Sequence, residues 1–101
     1  MMLTKISLLA KVTYYSNTGR MSPIYSGYKP PFIFENAKTA ISGLVELLNV
    51  ECLKPGTTEN IYITFIQGII DNEYFKPEVR FYFNEGKLRL GEGEIVAIIK
   101  K

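Results

Sequence analysis

The chain has no histidine, no tryptophan and a single cysteine among its 101 residues. Without histidine, the commonest general base near neutral pH is missing. The lone thiol, Cys52, has no partner for an internal disulfide, and with no histidine to join it a structural zinc site is not expected. Cys52 reads instead as a small apolar core residue. No Gly-rich loop ends in Lys-Ser or Lys-Thr, so GTP has no phosphate cradle. No apolar run reaches the roughly 18 residues of a membrane-spanning helix. The opening MMLTKISLLAKV lacks the apolar stretch and small-residue cleavage site of a signal peptide. A cytoplasmic protein with no membrane contact is expected. Charge imbalance is also small, at net +2. A committed electrostatic binder carries a clear basic excess or stripe, so each cation must be judged by where it sits.

Little remains for catalysis. Ser22 and Ser42 have no evident base to activate them. Asp71 and Glu73 are neighbours in a stretch that reads as a solvated loop. The chain is expected to be no enzyme, with no cofactor and no metal.

What is abundant is alternation. Hydrophobic residues make up 47% of the chain and charged residues 22%, as in an ordinary globular domain. Ile6, Leu8, Ala10, Val12 and Tyr14 fall on one face of a strand, opposite Ser7, Lys11 and Thr13. Further strands are predicted at Phe32 and Phe34, near Leu44 to Leu48, over Ile61 to Ile66, over Val79 to Phe83, and from about Glu92 to Ile99 with Ile95, Ala97 and Ile99 on one side. Glu35 to Ile41 tolerates a helix but is short. Pro55-Gly56 suits a type II turn and Glu85-Gly86-Lys87 a tight hairpin. Gly91 and Gly93 inside a strand pattern predict a bulge or a close backbone approach. Together these predict an all-β fold, a single domain over residues 1–101. Its expected form is a closed antiparallel Greek-key β-barrel of about six strands.

The order of punctuation adds a resemblance. Gly19-Arg20 precedes Ser22-Pro23, then Gly27-Tyr28-Lys29-Pro30, then Phe32 and Phe34. Later come Gly43-Leu44-Val45-Glu46-Leu47, Pro55-Gly56, Ile66-Gln67-Gly68-Ile69, Val79-Arg80-Phe81, Asn84-Glu85-Gly86 and Gly91-Glu92-Gly93. In this order they resemble the C-terminal β-barrel of elongation factor Tu and its relatives. That resemblance implies a noncatalytic, stand-alone barrel from a translation factor, able to bind tRNA or other structured RNA weakly. It implies RNA-facing positions at Arg20, Lys29, Ser42, Glu85 and Gly86. Met21 and Pro31 stand where the family has His and Gln, and Lys29 lacks the planar fork of the family's Arg. The backbone-shaping residues match better than the recognition side chains, which speaks for fold before function.

Two function classes follow. Arg20, Lys29, Lys87 and Arg89, with Tyr25 and Tyr28 beside them, would form a basic RNA face. Alternatively, the surface that meets the GTPase domain in full-length relatives would bind a protein partner. The tail Ile95-Val96-Ala97-Ile98-Ile99 is apolar on both strand faces, and a homodimer is one way to cover it. A contiguous basic patch around Arg20 and Lys29 favours RNA, and an exposed apolar patch favours protein.

Overall fold

The structure, a computed structural model, describes residues 4–37, 40–67 and 75–100. The expectations for Asp71, Glu73 and the Gly68-Ile69 pair lie outside the described residues. Among the described residues there are seven strands: β1 (Thr4–Tyr14), β2 (Pro31–Phe34), β3 (Ala40–Ser42), β4 (Leu44–Leu47), β5 (Thr58–Gln67), β6 (Arg80–Glu85) and β7 (Leu88–Lys100). They form one antiparallel sheet in the order β3-β2-β6-β7-β1-β5-β4.

The fold is all-β, but two expectations are corrected. There are seven strands rather than six, and the ladder is a curled half-barrel rather than a closed barrel. Both corrections come from one place. The two edge strands, β3 and β4, are separated in sequence only by Gly43. The chain leaves one edge of the sheet there and joins the other. A β-carbon at Gly43 would lie 2.6 Å from the Phe65 ring and 2.8 Å from Ile63 Cγ2. Only glycine lets the strand cross that closely over the core. Loop bonds cover the seam beside β4: Gly27 N–H donates to Val45 O (2.9 Å) and Val45 N–H to Tyr28 O (2.8 Å).

The concave side holds the core. The alternating set Ile6, Leu8, Ala10, Val12 and Tyr14 is buried, as is Ile61, Ile63 and Phe65. All six phenylalanines of the sequence are buried. Phe32, Phe34, Phe65, Phe75 and Phe81 meet edge-on or tilted, with ring centroids 5.3–5.6 Å apart, the geometry that aromatic quadrupoles favour. Gly91 and Gly93 are close approaches: Phe83 and Phe81, their direct cross-strand partners, lie over them. Leu53 rather than Cys52 enters the core, because the Ile24–Leu53 bridge turns Leu53 inward. Cys52 is half-buried.

The predicted facing of the last strand is also corrected. The register against β1 shifts between Leu9 and Ala10, so that Val96 is an extra residue opposite that step. Alternation inverts there. Ile95 and Ile98 pair with Ala10 and Leu8 on the core face, whereas Ala97 and Ile99 pair with Leu9 and Ser7 on the opposite face, where Leu9 is half-buried and Ser7 is buried.

Candidate interaction surface

Tyr14, the last residue of β1, organises the loop that follows. Its hydroxyl donates to Ser22 O at 2.9 Å and lies 3.4 Å from Arg20 O. Burial raises its phenol pKa, against the pull of Arg20. The loop then turns at Gly27, where φ is +100° and Tyr28 N–H bonds Tyr25 O.

Arg20 is held inside this frame. Its guanidinium carbon is 4.9 Å from the centroid of the Tyr28 ring and 5.9 Å from that of Tyr14. Its Nη1 lies 3.4 Å from Glu85 Oε2, an ion pair too poorly aligned to be a hydrogen bond. The Tyr28 hydroxyl donates to the same Oε2 at 3.1 Å. Burial raises the Tyr28 pKa, and the bond to Glu85 supports the shift. The Arg20 side chain is only 19% exposed. Its cation is neutralised and stacked, leaving little of it to meet a phosphate. Gly86 is the first residue of the two-residue turn joining β6 to β7, with φ +59°, and brings no side chain.

Lys29 and Ser42 are elsewhere. They line a groove of about 390 Å³ together with Lys5, Ala40, Ile41, Leu44 and Thr64. Lys5, Lys29 and Ser42 are exposed, and among the described residues neither lysine has an ion pair. The Thr64 hydroxyl bonds that of Ser7 at 2.9 Å. The five predicted site residues therefore form two groups, Arg20 with Glu85 and Gly86, and Lys29 with Ser42. Of the other cations expected on the basic face, Arg89 stacks on Tyr82, its guanidinium carbon 3.8 Å from the ring centroid. Lys5 and Thr64 were not foreseen. Their link to Lys29 depends on the Gly43 crossing, and no local pattern encodes it.

The convex side carries a second feature. Leu9 pairs directly with Tyr62 on β5 and with Ala97 on β7, and Ser7 with Thr64 and Ile99. Directly paired residues share a face, so Tyr62, Leu9, Ala97 and Ile99 form an outward cluster across three strands. Each is half-buried, and Val96 beside them is 48% exposed. The same strands turn polar further along, at Lys11, Glu94 and Asn60. Through Thr64 and Leu44, which pair with each other, this cluster runs into the groove.

Among the described residues no three His, Cys, Asp or Glu side chains converge on a metal site, and no helix is long and apolar enough to cross a membrane. No protein-family model matches the chain.

Proposed function

We propose that this chain is a noncatalytic protein-interaction domain, related to the C-terminal barrel of translation elongation factors, which binds a partner through the convex face of β5, β1 and β7. The observation that carries this reading is the outward apolar cluster of Tyr62, Leu9, Ala97 and Ile99 with the exposed Val96. A sheet face in water is ordinarily polar, and a contiguous apolar patch on it, though small, supports a contact surface. The pairing of Arg20 with Glu85 supports the same choice, because it removes the cation on which the RNA face most depended.

The test is a pull-down from the native cell that scores protein and RNA together, with wild type and a Leu9→Lys/Val96→Lys variant. A protein retained by wild type and lost from a folded variant is the expected outcome. RNA retained by both proteins and lost with Lys29→Ala would replace this reading with RNA binding.

A further inference from the structure

We infer that the groove beside Lys5 and Lys29 accepts an extended acidic peptide segment of a partner protein, which adds as a strand along the edge of β3 that is unpaired among the described residues. This rests on the protein-interaction reading above and specifies how the partner is held.

Gly43 N–H donates to Pro30 O (3.2 Å) and Val45 N–H to Tyr28 O. Backbone groups alternate sides along a strand. The odd-numbered residues of this segment therefore aim their amides and carbonyls toward 27–34. The even-numbered ones aim the other way. Leu44 and Glu46 meet Thr64 and Tyr62 of β5 in this direction. Ala40 and Ser42 point the same way, but among the described residues the ladder to β5 stops at Leu44–Thr64 and β3 pairs with β2 alone. Among the described residues their amides and carbonyls have no backbone partner. Both residues line the groove.

A row of unpaired strand groups is a template for another strand. Proteins commonly blunt such an edge with lysine or proline. Here Pro31 sits in β2, on the paired side of β3, and does not block the other edge. Two lysines, Lys5 and Lys29, line the groove. Their ammonium groups favour carboxylates in the incoming segment, and the apolar Ala40, Ile41 and Leu44 favour an aliphatic side chain between them. The chemistry is thus an extended, proline-free segment alternating acidic and aliphatic residues.

The experiment is selection from a displayed random-peptide library on the full chain, followed by amide NMR titration with the enriched peptide. Enrichment of acidic, aliphatic-alternating, proline-free sequences is expected. The largest shifts should fall at Ala40, Ser42 and Thr64, and N-methylation of the peptide backbone should abolish binding. Lys5→Glu with Lys29→Glu should weaken binding by about tenfold or more, because two attractive charge pairs become repulsive. These are exposed positions, and unchanged amide dispersion will show that the variant folds. Absence of enrichment, or enrichment of basic or proline-rich peptides, overturns the inference. Peptides that shift only Leu9, Ala97 and Ile99 overturn it while leaving the proposed function standing. Binding of an RNA oligonucleotide at Lys5 and Lys29, with no peptide or protein bound at either surface, overturns both.

Discussion

Two residues stand in unusual settings, and each predicts a measurable change. Glu78 has φ +74°, at the third position of the turn Lys76-Pro77-Glu78-Val79 that Val79 N–H closes onto Lys76 O. A left-handed conformation costs a residue with a β-carbon roughly 1–2 kcal/mol, and glycine forgoes that cost while adding up to about 1 kcal/mol of unfolded-state entropy. Glu78→Gly should therefore raise stability by about 0.5–1 kcal/mol, read as a higher urea midpoint at unchanged slope. Arg20 is the opposite case. It lies against two tyrosine rings and Glu85, contacts together worth roughly 1–2 kcal/mol when partly desolvated. Arg20→Ala should lower stability by about that amount and leave any low-salt RNA affinity unchanged. A loss of RNA binding at full stability would return Arg20 to the role that its resemblance implied. The Gly-Arg pair was legible in the sequence as a motif. Its partner Glu85 was also legible, but the contact between them spans 65 positions and exists only in the fold.

At the scale of elements, alternation located the inward faces of β1, β5 and β6, because each buries one regular side. It failed where regularity is interrupted. The strand β3 is three residues long and shares its segment with a turn, too short for any period to show. The Val96 bulge inverts the facing of the last strand, and nothing in an all-aliphatic run marks which residue is extra. Gly43 was legible as part of a motif, but its work as a crossing was not. Gly43→Ala drives a methyl into the Phe65 ring and Ile63. It should cost about 1–3 kcal/mol, as for other overpacked cores, with a matching fall in thermal midpoint.

A tie across three strands gives the element-scale pH dependence. Tyr15, just past β1, donates to Glu92 of β7 at 2.5 Å, and Arg80 of β6 reaches the same carboxylate at 2.7 Å. Burial, with that bond, pushes the Tyr15 pKa up from 10.0 to about 12. The bond from Tyr15, then that from Arg80, holds Glu92 below its ordinary 4.5, against burial. The raised phenol stabilises the fold below pH 10 and loses that contribution between about 10 and 12. The lowered carboxylate stabilises it above 4.5 and loses that contribution as pH falls further. Tyr15→Phe should flatten both flanks of the stability–pH curve, measured as urea midpoints. Equal slopes for wild type and variant on both flanks would show that the tie is energetically silent.

For the whole molecule, the question is what covers the convex face. The cluster spans three strands about 4.8 Å apart and two side-chain repeats of about 7 Å, an area on the order of 200–300 Å². A stable pair of proteins buries about 800 Å² on each side. A second copy meeting this face alone falls well short. A partner that also lays a segment along β3 gains the groove, its backbone bonds and both lysines. Light scattering should therefore find a monomer at micromolar concentration. A tight dimer there would mean that the chain covers its own face. The same surface division sets the salt response. An RNA ligand held by two to four lysine and arginine contacts would give a log–log slope of roughly −2 to −4. A partner held mainly by the apolar face should show a slope nearer zero, with only the groove contribution screened. Leu9→Lys/Val96→Lys should then weaken binding at every salt concentration, whereas Lys5→Glu/Lys29→Glu should weaken it most at low salt. Parallel salt curves for the two variants would mean that face and groove do not act as separate halves of one surface.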